Sequence, residues 1–270
     1  MRRIYIIPDK ERMEESLALA REYDCSFEYN DFYLPEVLDN PEKTDELIAF
    51  YKSQQHDITK DTIHGAFLDI TIHSQDPLIR DASMLRIRQS MEVAGKLGVR
   101  GVVFHTGRLA GFRVDYYLEH WLRENVNFFT QMLEEFPEQE IYMENMFDEA
   151  PDILAGMAQA MAEESRFGIC LDYAHAALTT YSGEDWVESL APYIRHMHIN
   201  DNDLVNDLHQ SMGDGEINWE LFERMMWQYK VDASVLIEVR QIESQRKSLE
   251  YMKRCRIYPF DTAGGDTECN

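Results

Sequence analysis

Five of this chain's nine histidines and four of its carboxylates sit where short apolar runs give out. They are His64 in TIHGAF, His105 in VVFHTG, Glu144 in IYMEN, Asp172 and His175 in CLDYAH, His198 in HMHIND, Asp207 and His209 in NDLHQSMGDG, and Glu238 in LIEVR. Taken singly, a histidine at such a place is most often a hydrogen-bonded core residue. A lone acid there is often a helix cap or a first-turn acid. Taken together, four acids gathered at one place repel one another unless a cation neutralises them. Arg108 and Arg240 are the only bases evidently near, too few to balance four acids. The pattern therefore points to a divalent metal site. Mixed nitrogen and oxygen donors suit zinc or manganese first, with cobalt, iron and magnesium as further options.

The elements that must position these residues alternate along the whole chain. Apolar runs expected as strands are Arg3–Ile7, Cys25–Tyr29, Thr62–Phe67, Gly101–His105, Glu140–Glu144, Phe167–Asp172, Ile194–Asn200 and Ser234–Arg240. Amphipathic stretches of helical period lie between them: Glu11–Tyr23, Pro41–Gln55, Asp81–Leu97, Tyr116–Phe136, Ala150–Glu164, Gly183–Tyr193, Trp219–Tyr229 and Ser244–Cys255. Eight strand–helix pairs in strict alternation imply a parallel sheet, and eight strands is the closure number of a (β/α)8 TIM barrel. A doubly wound open sheet is the competing architecture, but Pro8 and Asp9 follow the first strand where a glycine-rich phosphate turn would stand. Residues 1–260 are expected to form one barrel, and 261–270 (DTAGGDTECN) a poorly structured tail. In such a barrel the site is built at the carboxyl ends of the strands, where all nine residues fall.

Composition narrows the partners. Acids outnumber bases 50 to 26, a formal charge of −24. A duplex nucleic-acid binder needs lysine and arginine to replace phosphate counterions, and no basic cluster stands out. Anionic membrane surfaces are disfavoured on the same ground. The apolar run at the N-terminus stops at Ile7, too short for a signal-peptide core, and no later stretch approaches a membrane span. Cys25, Cys170, Cys255 and Cys269 are scattered and read as reduced thiols of a cytoplasmic protein.

Strand alternation sharpens individual positions. Leu236, Glu238 and Arg240 share a face, which sets Arg240 at the rim, free to hold a substrate phosphate or to pair with Asp201. His196 points the same way as His198 one layer deeper and is expected to be a buried core histidine. Cys170 lies below Asp172 as a small buried thiol. Glu28 either reaches the pocket or bonds a neighbouring strand, and stays outside the candidate set. Gly213-Asp214-Gly215 reads as a turn whose glycines permit positive φ, with Asn218 as cap of the following helix.

The order His64, His105, Glu144, Asp172-x-x-His175, His198-x-Asn200-Asp201, Asp207-x-His209-x-x-x-Gly213-x-Gly215 and Glu238 resembles the xylose-isomerase-like barrel superfamily. The match spans roughly Thr62 to Arg240. That superfamily holds sugar and sugar-phosphate isomerases and epimerases, together with abasic-site nucleases of the endonuclease IV type. In the isomerase branch the resemblance implies a metal held by Glu144, Asp172, His198 and Glu238, with both glutamates shuttling protons. His64, His105, His175 and His209 then become substrate contacts. In the nuclease branch it implies three zinc ions, with His64, His105, His175, Asp207 and His209 as added ligands. Short segments after Glu144 and between His175 and His198, and the negative charge, favour the isomerase. Phe67-Leu68 resembles the aromatic–leucine pair with which the nuclease probes DNA.

The resemblance thus implies a metal-dependent sugar or sugar-phosphate isomerase or epimerase acting through a metal-stabilised enediolate and glutamate proton transfer, with His175 and Arg240 against the substrate. The alternatives are an abasic-site nuclease or related phosphodiesterase with up to three zincs, and a barrel that binds sugar without turning it over. The expected partner is a small sugar, not nucleic acid or membrane. The oligomeric state is left open.

Overall fold

The computed structural model describes residues 4–260. The strands are β1 (Ile4–Ile6), β2 (Cys25–Tyr29), β3 (Thr62–His64), β4 (Gly101–His105), β5 (Glu140–Glu144), β6 (Phe167–Asp172), β7 (Ile194–Ile199) and β8 (Ser234–Ile237). Each pairs in parallel with its neighbours in sequence, and β1 pairs with β8 through Ile4–Val235, Tyr5–Leu236 and Ile6–Ile237. The sheet is therefore closed, and the chain is a (β/α)8 TIM barrel. The tail expected over 261–270 lies outside the described residues.

The helices are α1 (Met13–Tyr23), α2 (Pro35–Leu38), α3 (Pro41–Lys52), α4 (Pro77–Leu97), α5 (Asp115–Glu135), α6 (Asp152–Ala160), α7 (Tyr173–Ala177), α8 (Gly183–Leu190), α9 (Trp219–Gln228) and α10 (Ile242–Cys255). Their starts follow side-chain chemistry. Asn40, Asp76 and Asn218 accept a hydrogen bond from a first-turn amide of α3, α4 and α9, and Ser182 and Asp185 form a capping box on α8. Among the described residues no helix is long and apolar enough to cross a membrane.

Several boundaries differ from the sequence pattern. β3 stops at His64, and β8 stops at Ile237, so Glu238 and Arg240 lie just past the strand. The Glu238 amide still donates to Ile199 O, which keeps the strand's inward alternation for one more residue. α7 is an addition to the pattern. It begins because the Asp172 side chain accepts from the His175 amide directly after β6. Cys25 and Cys170 are free and buried, Cys255 is buried, and Cys269 lies outside the described residues.

Outward-facing strand residues such as Phe27, Phe104, Met143 and Ile237 meet the helices in one large apolar layer. The barrel interior is different. Tyr5, Ile7 and Leu236 form one small apolar group, and Val103, Tyr142 and Cys170 another. The fully buried polar residues Glu28, Thr62 and His196 share that interior.

The seam between the first and last strands is fastened from α10. The amide of Gln245, fully buried, donates to Ile7 O at 2.7 Å and to Val239 O at 2.9 Å. Replacing it with leucine strands two buried carbonyls, at a cost of roughly 1–3 kcal/mol. Gln245→Leu should therefore unfold several degrees below wild type in a thermal scan. An unchanged midpoint would show that the seam does not need this residue.

Candidate metal centre

All nine residues singled out from the sequence converge at the carboxyl-terminal mouth of the barrel. They form three groups, in each of which one ligand atom per residue lies within 4.8 Å of the others: His64, His105 and Glu144; Glu144, Asp172, His198 and Glu238; and His175, Asp207 and His209. Glu144 joins the first two. Its Oε2 is 3.0 Å from His105 Nε2 and 3.5 Å from His64 Nε2, and its Oε1 is 3.0 Å from His198 Nδ1. Glu238 Oε2 closes the second group at 3.6 Å from His198 Nδ1 and reaches toward the third at 3.7 Å from His209 Nδ1.

The backbone fixes which histidine nitrogens face inward. His64 Nδ1 is 3.0 Å from Gly65 O, His175 Nδ1 is 2.9 Å from Asn145 O, and His209 Nδ1 is 2.9 Å from Glu238 O. A carbonyl only accepts, so each Nδ1 carries a hydrogen and each Nε2 is the nitrogen turned to the mouth. There His64 Nε2 faces Glu144, and His175 and His209 Nε2 donate to Asp207 Oδ2 at 3.3 and 3.2 Å, protons that a metal ion bound there would displace. Asp172 is held by its neighbours. Its amide donates to Asn145 Oδ1 at 2.9 Å and its own Oδ1 accepts from the His175 amide at 2.7 Å, which leaves Oδ2 free.

The donor set fits a divalent cation. Both Glu144 oxygens, Asp172 Oδ2, both His198 nitrogens and Glu238 Oε2 are buried atoms with no aligned hydrogen-bond partner among the described residues. Buried polar atoms are seldom left so, and three orphaned carboxylates around one imidazole call for a positive charge.

Above the centre lies a chamber of about 360 Å³ lined by Tyr33, His64, His105, His175, His209, Glu238 and Arg240, among others. Phe67 covers its near wall, with its ring 4.9 Å from His64 and 4.8 Å from His105. Arg240 stands at the rim and makes no ion pair among the described residues. The alternative of an Arg240–Asp201 pair does not form, because Asp201 accepts from the Gly213 and Ile217 amides and the Trp219 indole instead. This carboxylate shapes the loop that carries Asp207 and His209. Gly213 is left-handed there at φ +85°, and a Cβ at Gly215 would meet Asn202 O at 2.3 Å. Arg108 points away from the centre, ion-paired with Asp148 at 2.9 Å and with Glu149.

Glu28 is the residue that sequence reasoning set aside. It is fully buried beneath the centre, with Oε2 accepting from Thr62 Oγ1 at 2.7 Å and 3.2 Å from His196 Nε2. Its Oε1 lies 3.1 Å from His198 Nε2. Inward alternation on β2 was the available signal. His196 is buried below His198, as its parity required.

Residues 19–255 match the family described as xylose isomerase-like TIM barrel. The chain belongs to that family. An uncharacterized protein of Methanocaldococcus jannaschii is 28% identical over 205 residues, 75% of this chain and 77% of that one. A probable endonuclease 4 of Protochlamydia amoebophila is 34% identical over 89 residues, 27% of this chain and 31% of its own length. Two solved structures superpose at TM-score 0.71 and 22% identity, and so share the fold: a Thermus thermophilus protein soaked with ZnCl2, covering 92% of this chain and 96% of its own, and a D-tagatose 3-epimerase-like protein, covering 94% and 96%.

Electrostatics divides the two glutamates of this xylose isomerase-like barrel. Burial would raise Glu144, but the imidazoles of His198 and His105 beside it together outweigh burial and hold it well below the usual carboxylate range. Glu238 is pushed up to about 7, first by burial and then by Asp172 and Glu144, against the pull of His198. Burial alone would lower His209, but Asp207 and Glu238 together outweigh it and raise the ring to about 9.

A carboxylate raised on folding binds its proton more tightly in the folded state. Its contribution to stability is complete below its free value of 4.5 and is lost as pH rises through about 7. Metal-free protein should lose stability across that window, and Glu238→Gln should flatten the slope. Urea unfolding of chelator-treated protein along a pH series checks this; parallel slopes for wild type and variant would remove Glu238 as the cause.

Proposed function

We propose that this protein is a divalent-metal-dependent sugar or sugar-phosphate isomerase or epimerase. The observation that carries the reading is the pairing of Glu144 and Glu238 on one ligand group at the floor of a small chamber, with Glu238 alone of the two lining that chamber. The chamber's volume falls in the roughly 300–1,000 Å³ range of small-molecule sites.

Glu144, Asp172, His198 and Glu238 are the residues that would hold the ion, zinc or manganese by donor type. Bound there, it supplies Lewis-acid polarisation of a substrate carbonyl and its neighbouring hydroxyl, which acidifies the C–H between them. Glu238 takes that proton, since a carboxyl with proton affinity near neutrality both accepts and releases at working pH. Glu238 returns that proton to the adjacent carbon for isomerisation, or a solvent proton reaching the other face of the same carbon gives epimerisation; Glu144, held ionised away from the chamber, is the second carboxylate on the ion. His175 and His209, their Nε2 atoms turned inward, bind substrate oxygens. Arg240, unpaired at the rim, takes the substrate's phosphate or distal hydroxyl.

The His64–His105–Glu144 and His175–Asp207–His209 groups favour a second reading, a three-ion phosphodiesterase. Zinc content of purified protein separates the two: one ion per chain supports the isomerase, three tightly held ions the hydrolase. Zinc-loaded protein should leave a labelled abasic duplex intact at low salt, because a chain at −24 offers repulsion to a polyanion. Multiple-turnover nicking there would overturn the isomerase reading.

The direct test is a panel of aldoses, ketoses and their phosphates incubated with metal-loaded protein in D2O and followed by NMR. Wild type should place deuterium on a carbon next to a carbonyl. Glu238→Gln should lose at least about 10²-fold of that exchange while keeping its ion, since the amide oxygen still ligates. Exchange at the wild-type rate in the variant would take Glu238 out of the acid–base role.

A further inference from the structure

We propose that Glu28 is the positioning residue of the metal centre: held from below by Thr62 and His196, it fixes the hydrogen of His198 on Nε2 and so presents Nδ1 to the ion. This rests on the metal-dependent reading above.

His198 is the exception among the inward histidines. His64, His175 and His209 turn Nε2 to the mouth and give Nδ1 to a backbone carbonyl. His198 turns Nδ1 to the mouth, 3.0 Å from Glu144 Oε1 and 3.6 Å from Glu238 Oε2, and its outer nitrogen faces no carbonyl. It faces Glu28 Oε1 at 3.1 Å. That approach is short but not aligned as a hydrogen bond, and neither His198 nitrogen has an aligned partner. The backbone therefore does not choose this ring's tautomer. Two side chains lie beside the ring below the mouth, the Cys170 thiol and Glu28; of these Glu28 offers the charged, acceptor-only oxygen that fixes a hydrogen on Nε2.

Glu28 is itself fixed. Its Oε2 accepts from Thr62 Oγ1 at 2.7 Å and lies 3.2 Å from His196 Nε2, while His196 Nδ1 is 2.6 Å from Ser234 Oγ. All of Glu28, His196 and His198 are fully buried. With Oε2 occupied, Oε1 is the oxygen left for His198. A buried carboxylate with no chemistry above it is costly, and an apolar residue would fill this layer of the barrel at no such cost. Standing behind a metal-binding imidazole gives this carboxylate a role, since an anion there raises the ring's donor strength and stops it rotating.

Metal affinity, read apart from activity, tests the assignment. Zinc binding to the full chain, measured by competition with a chromophoric chelator, should weaken about 10–100-fold in Glu28→Ala. Glu28→Gln, which keeps an acceptor oxygen but no charge, should fall between. In zinc-loaded wild type, ¹⁵N NMR should find His198 metal-bound at Nδ1 and protonated at Nε2. Thr62→Val, which removes only the hydroxyl that steadies Glu28, keeps the proposal open to failure if Glu28→Ala does not fold, and should weaken zinc binding in the same direction. Wild-type affinity in the folded Glu28 variants and in Thr62→Val overturns the assignment while leaving the metal reading intact. A wild-type protein that binds no zinc at all overturns both.

Discussion

Burying several carboxylates side by side is the constraint on which the rest of this barrel turns. Glu28, Glu144 and Asp172 are fully removed from water, and Glu238 stands directly beside them. Charges this close in a poorly polarisable setting repel by more than a fold of marginal stability tolerates, unless protons or cations intervene. The sequence meets the demand with imidazoles. His64, His105, His196 and His198 interleave with the acids: both oxygens of Glu28 and of Glu144 face a ring nitrogen or a hydroxyl, and Asp172 Oδ1 accepts from an amide. The polar barrel interior, unusual beside the apolar layer outside it, is the support that this arrangement requires.

The fold was plain in the sequence because period and count agreed. β2, β4, β5 and β6 begin and end where the apolar runs do, and the helical stretches fall between them within a few residues. What period alone could not show is where a side chain ends a strand or starts a helix. α7 is a single short turn that exists because Asp172 caps it, and its sequence carries no amphipathic period to read. β3 breaks after His64 where Gly65 lies against Phe104, whose ring a Cβ would meet at 2.2 Å, a long-range contact invisible to local pattern.

The site was legible for the same reason that the strands were: polar residues at the ends of apolar runs are conspicuous. Glu28 was not, although it too ends such a run, because nothing local says whether an inward acid has a partner. Its partners, Thr62 and His196, lie 34 and 168 residues away. The fate of Arg108 was hidden likewise, since the acids that hold it sit on the next loop of the barrel. Ligand identity is written in short motifs, whereas the shell that orients the ligands is written in pairings between distant strands.

The four residues that would grip the ion, Glu144, Asp172, His198 and Glu238, all come from the last four strands. Binding energy gained there is delivered to one half of a ring that has no natural division. Through the coupling of binding to folding, a metal there would hold the β5–β8 arc closed against opening, while the β1–β4 arc relies on its apolar packing and is tied to the other arc by the Gln245 seam between β1 and β8. Withdrawing the ion would then not soften the molecule evenly. Amide exchange would quicken first along β5 to β8, and the ring would open as a hinge does, from the side that had been pinned.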